Sequence, residues 1–119
     1  DGGHNPHAAR AIARQLNNMP GRTALVAAML ASKDATGYFM PFRQVRPEVF
    51  TLPNAPGHQG AEPQALAEAA TNAGLKAAAY DSLEAALKAA AATGVDRILI
   101  CGSLYLAGEV LAQNGEPPV

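Results

Sequence analysis

Tryptophan is absent from this 119-residue chain, cysteine occurs once, and the aromatics are three phenylalanines and three tyrosines. A single cysteine, Cys101, excludes an internal disulfide. Set in the apolar run Ile98-Leu99-Ile100-Cys101, it reads as a buried, inert strand residue, which suits a reducing cytoplasm. Charge of one sign is lacking as well: nine Lys and Arg face ten Asp and Glu, for a net charge of −1. No Lys/Arg cluster or aromatic-interleaved basic stripe runs along the sequence, which argues against a nucleic-acid binder. No apolar run approaches the roughly 18 residues a membrane span needs, and no signal-peptide or transit pattern is present. The chain has no G-x-x-x-x-G-K-[ST], hence no phosphate-cradling loop of its own. No His/Cys/Asp/Glu set has metal-ligand spacing, and His7 and His58 read as surface residues.

What is present is alanine, nearly a quarter of the chain, a composition suited to helices packed closely on a sheet. The length corresponds to one domain, 1–119, with neither linker nor internal repeat. Apolar positions Ala8, Ala9, Ile12, Ala13 and Leu16 recur at helical spacing, predicting a helix from Pro6 to Asn17. Thr23 to Leu30 is a continuous apolar run, the pattern of a strand buried on both faces. A short helix is expected over Tyr38 to Phe42 and a strand over Val45 to Leu52, interrupted by Pro47. Pro53 to Pro63 reads as a loop. A helix from Pro63 to Ala73 stops at Gly74, a strand follows over Lys76 to Tyr80, and Asp81/Ser82 cap a helix reaching Ala92. Arg97 to Cys101 forms a last buried strand, and Gly102-Ser103 turns into a helix from Leu104 to Gln113. Strands alternating with helices of this length predict an α/β fold, a Rossmann-like, mostly parallel sheet with helices on both faces. Ligands in such folds sit at the carboxyl ends of strands. Three polar turns lie at such ends: Asp1 to Asn5, Ser32 to Asp34, and Gly102-Ser103.

The first of these is the most informative. In Asp1-Gly2-Gly3-His4-Asn5-Pro6, a carboxylate, an imidazole and an amide crowd a glycine-rich turn at a helix start. Asn5 suits the N-cap and Pro6 the first helical position. Such a turn serves equally as an ordinary capped helix entry or as an anion or nucleotide site. Ser103 is likewise open to two readings. A serine after a glycine at a helix N-terminus either caps the helix or presents its hydroxyl and free N–H groups to a carboxylate.

Asp1-Gly2-Gly3-His4-Asn5-Pro6-His7-Ala8 resembles the D-G-[AG]-H-N-P-x-[AG] motif of the folylpolyglutamate synthase and dihydrofolate synthase family, within the Mur ligase superfamily of ATP-dependent amide-forming enzymes. Met29-Leu30-Ala31-Ser32-Lys33-Asp34 resembles that family's M-L-x-D-K-D turn, with Ser32 in place of the first Asp. Ile98 to Val110 resembles its closing strand, G-S-L-Y-L turn and helix. The resemblance spans nearly the whole chain.

In that family a buried strand, preceded by a hairpin, leads into the first motif. The resemblance therefore implies a C-terminal domain lacking its first strands, with the N-terminal phosphate-loop ATPase domain absent from these residues. It implies ATP as co-substrate, with Mg²⁺ and the catalytic lysine held mainly by that other domain. The γ-phosphoryl group passes to a folate or dihydropteroate carboxylate, and the amine of L-glutamate attacks the acyl phosphate; the protein's task is positioning and charge stabilisation. By the same resemblance Asp1 helps hold the nucleotide, and Asn5 caps the helix or touches the site. His4 stands by the γ-phosphate and the incoming glutamate as the catalytic group. Ser103 binds the glutamate carboxylate. Tyr105 lines that pocket or simply packs, while Lys33 and Asp34 approach the nucleotide or form a solvated turn. Two other readings remain: a peptidoglycan-precursor ligase, which His4-Asn5-Pro6 disfavours, and a non-catalytic Rossmann-like binding module, which the retained Asp1, His4 and Ser103 disfavour.

Overall fold

A computed structural model describes residues 6–29, 34–53 and 60–102. Helix α1 spans Pro6–Asn17, as the periodicity predicts, and buries Ala9, Ala13 and Leu16 along one stripe. Strand β1 (Thr23–Ala28) is buried at every position, the condition its unbroken apolar run requires. It ends two residues before the expected Leu30, which lies outside the described residues. Helix α2 covers Ala35–Phe39 and passes into a 3₁₀ turn, Met40–Arg43. The expected helix over Tyr38 to Phe42 therefore starts three residues earlier, because Asp34 caps it, and tightens where Pro41 removes an N–H from the α-helical ladder.

Strand β2 is Glu48–Thr51, shorter than Val45 to Leu52. The amide of Arg46 donates to the Phe42 carbonyl at 2.9 Å, and Arg46 adopts φ +55°, so the chain is still turning there. Helix α3 (Pro63–Asn72) ends in a Schellman arrangement. Gly74 N donates to Thr71 O, Leu75 N donates to Ala70 O, and Gly74 takes φ +93°, a conformation open to glycine at little cost. Strand β3 is Ala77–Ala79, helix α4 Leu83–Ala92 and strand β4 Arg97–Gly102. Ser82 caps α4, its Oγ accepting from Ala85 N at 3.1 Å. The helix expected after Leu104 lies outside the described residues.

All described strand pairs are parallel, in the order β3-β2-β1-β4. Alternate residues of β1 face opposite layers. Leu25 and Ala27 pack with α1, α2 and α3 through Ala9, Phe39, Leu66 and Ala70. Ala24, Val26 and Ala28 pack with α4 through Leu83, Ala86 and Ala90. The fold is thus a three-layer, Rossmann-like α/β sandwich. No helix among the described residues is long and apolar enough to cross a membrane.

The amino ends of β1 and β4 are tied by side chains. Asp96 accepts from Arg22 N at 2.7 Å, and the Arg22 guanidinium donates to Thr93 O at 3.0 Å. Arg97 donates to Thr23 Oγ1 at 2.8 Å and to Pro20 O. On the other side, the buried Thr51 hydroxyl donates to Pro63 O at 2.7 Å, anchoring the start of α3 to the end of β2.

Candidate functional site

The strands end level at one edge. Ala28 registers with Gly102, Ala27 with Thr51, and Thr51 with Ala79. The described chain leaves β1 at Met29, β2 at Pro53 and β4 at Gly102, all at this edge. The turn after Asn17 joins α1 to the amino end of β1. α1 therefore runs antiparallel to β1, and its 12 residues, about 18 Å of helix, return Pro6 to the carboxyl edge.

Chain direction decides where along that edge a ligand fits. From β1 the chain steps outward to β2 and then β3, with α2 and α3 on one face. It then recrosses on the opposite face through α4 to place β4 on the far side of β1. Connections diverge at the β1–β4 boundary, which makes their carboxyl ends the topological switch point, where doubly wound sheets open a crevice. The described chain leaves these two strands at Met29 and Gly102, and Pro6, the first described residue of α1, stands at the same edge.

Of the residues expected at the site, Asp34 is the one whose side chain is described. Exposed, it caps α2, with Oδ1 accepting from Gly37 N at 2.9 Å; a Cβ on Gly37 would collide with this carboxylate. Asp1, His4, Asn5, Lys33, Ser103 and Tyr105 lie outside the described residues, as does His58. Among the described residues no three His, Cys, Asp or Glu side chains gather into a possible metal site.

Behind the switch point Cys101, buried in its strand as expected, meets a partner that the sequence did not single out, Tyr38. Tyr38 is fully buried, its ring 5.5 Å from Phe39 and 5.9 Å from Phe42, and among the described residues its hydroxyl finds no nitrogen or oxygen partner, only the Cys101 thiol beside it. Burial, with the Cys101 thiol beside it, raises the phenol far above its ordinary range. Cys101, one residue before the end of β4, turns its thiol toward Val26 O at 3.8 Å. Burial pushes that thiol up to about 11. At neutral pH both groups are protonated, so Cys101 is an unreactive filler. No local pattern marks a tyrosine on a short helix as buried, so only packing shows it.

The family profile described as "Mur ligase, glutamate ligase domain" matches residues 1–104. The chain belongs to the Mur ligase family. Several solved structures share the fold of this glutamate ligase domain. Folylpolyglutamate synthase from Mycobacterium tuberculosis, solved with ADP and AMPPCP, matches with a TM-score of 0.86 and 23% identity, over 100% of this chain and 30% of its own. FolC from E. coli in complex with ADP gives a TM-score of 0.78 and 27% identity over 97% of this chain and 28% of its own. The bifunctional folylpolyglutamate synthase/dihydrofolate synthase from Yersinia pestis gives 0.79 and 28%, over 97% and 27%. No curated protein sequence matches significantly. The glutamate ligase domain described here thus spans less than a third of the length of these structures.

Proposed function

We propose that residues 1–119 act as the C-terminal, glutamate-ligase domain of a cytoplasmic folylpolyglutamate synthase/dihydrofolate synthase. The full-length enzyme joins L-glutamate to dihydropteroate, to folates or to both, at the expense of ATP. The observation that carries this reading is the switch point: the carboxyl ends of β1 and β4 lie side by side, and the family's second and third motifs follow directly from them. Solved structures similar to this chain are named folylpolyglutamate synthase and bifunctional folylpolyglutamate synthase/dihydrofolate synthase.

In this reading the domain closes over a nucleotide bound by an N-terminal ATPase domain. Asp1 holds the nucleotide, with Asn5, Lys33 and Asp34 bordering it. His4 stands between the γ-phosphate and the glutamate amine, where an imidazole titrating near neutrality hydrogen-bonds developing charge. Ser103 receives the glutamate carboxylate, beside Tyr105. Magnesium belongs with the N-terminal domain. Asp34, the carboxylate described at this edge, caps α2 through Gly37 N.

Steady-state kinetics of the full-length enzyme, with glutamate and ATP varied separately, test the assignment. Ser103→Ala is expected to raise the glutamate KM about ten- to a hundredfold, the effect of losing a hydrogen bond to a charged group, while ATP use is nearly unchanged. His4→Ala is expected to lower kcat as well. A Ser103→Ala variant that loses about 1 kcal/mol of stability but keeps its glutamate KM would reduce Ser103 to a helix cap.

A further inference from the structure

The sequence shows no run of basic residues, yet the fold assembles one at the amino edge of the sheet, opposite the switch point. Three clefts of about 750, 320 and 350 Å³ adjoin there. The first and second share Pro41 and Gln44, and the first and third share Arg43 and Arg46, so together they form one elongated trough. Arg10, Arg14, Arg43, Arg46 and Lys76 line it, and all five are exposed. These are five of the chain's nine Lys and Arg. No carboxylate is among the described residues lining the trough. In a chain of net charge −1, that segregation gives the trough a local positive potential the whole molecule lacks.

Two backbone features hold the cations in place. Arg46 adopts φ +55°, a conformation that is costly for a residue with a side chain and that glycine would take more easily. At the other end, Arg43 lies against the bare backbone of Gly74, where a Cβ would come within 3.3 Å of Arg43 Nε. Guanidinium forks pair with carboxylates and phosphates in a bidentate manner, and Lys76 adds a point charge at the end of the trough. A trough longer than one anion, with cations at intervals, fits a chain of anionic groups better than a single ion.

We propose that the trough lined by Arg14, Arg43, Arg46 and Lys76 is a binding site for a small linear polyanion, a ligand bearing several carboxylates or phosphates in succession. It lies a strand's length, about 15–20 Å, from the crevice and does not depend on the ligase reading, because its test uses neither ATP nor substrate turnover.

The test is an amide NMR titration of the 119-residue chain at fixed ionic strength, with inorganic tripolyphosphate in one arm and tetra-γ-glutamate in the other. Saturable shifts confined to residues 10–14, 43–46 and 74–76, weakening as salt is raised, are the expected result. The probe that saturates identifies phosphate or carboxylate as the source, and saturation by both shows that spacing alone is read. Arg46→Gln and Lys76→Gln should each weaken binding about two- to fivefold, in the range of single exposed charge pairs. Lys88→Gln, on the solvent-facing side of α4, should leave it unchanged. These variants avoid Arg43, whose packing on Gly74 could couple binding to folding. Shifts that fail to saturate with both probes, or an effect of Lys88→Gln equal to that of Arg46→Gln, would overturn the site.

Discussion

Gly21 combines a turn with a close approach. Its φ is +94°, and an added Cβ would lie 2.7 Å from Asp96 Oδ2, the atom that accepts from Arg22 N. Gly21→Ala must strain the backbone and push this carboxylate off its donor. The expected loss is about 2–4 kcal/mol, from roughly 1–2 for the left-handed conformation and the rest from the displaced charged hydrogen bond. Chemical denaturation of the chain measures it, and a loss under 1 kcal/mol would mean that the turn relaxes freely. Cys101 supplies a pH dependence. Its thiol titrates at about 11 in the fold against an ordinary 9.0. Below pH 9 the folded and unfolded chains are both protonated there. Between 9 and 11 the unfolded chain gives up the proton first, so stability present below pH 9 drains away as pH rises toward 11. The full difference is roughly 2–3 kcal/mol. Cys101→Ala lacks this contribution, so the stability gap between wild type and variant should narrow over that window. A constant gap would contradict the burial of the thiol.

At the scale of elements, caps and breakers mark most boundaries. α1 runs as its apolar spacing predicts, α4 starts behind Ser82, and α3 closes at Gly74. The misses sit where local signals compete. Asp34 caps α2, which moves the start of that helix three residues toward the N-terminus. Asp34→Ala should therefore cost about 1 kcal/mol, and Asp34→Asn, which keeps an accepting oxygen, only a few tenths. Thermal melts of both variants check this. The ATP KM of Asp34→Asn in the full-length enzyme then isolates any nucleotide contact, since a rise in KM without a change in melting cannot come from the cap. β2 is shorter than expected because Pro47 has no N–H to give a ladder and Arg46 is held in a left-handed turn.

For the molecule as a whole, the recrossing through α4 matters most. It places β4 beside β1 and opens the crevice between two segments far apart in sequence. The crevice supplies one wall of the proposed active site, whereas residues 1–119 contain no phosphate loop. The purified 119-residue chain is therefore expected to show no ATP hydrolysis dependent on glutamate and dihydropteroate. Turnover by it in a coupled phosphate-release assay would show that the domain carries its own phosphoryl-transfer machinery.

Local chemistry by itself determined the fold class, the Ser82 cap, the stop at Gly74 and the doubly buried central strand. Each of these is written within one turn of helix or one strand, where steric and hydrogen-bonding preferences act between near neighbours. The family, too, was legible from short motifs. Strand order, the alignment of the carboxyl ends of β1 and β4, the burial of Tyr38 against Cys101, and the basic trough were decided by tertiary structure alone. They depend on which faces are buried against which, and burial is a property of surfaces brought together across the chain. Arg14, Arg43, Arg46 and Lys76 are unremarkable one at a time in a near-neutral sequence; packing α1, the 3₁₀ turn and the approach to β3 at one corner makes them a common electrostatic surface.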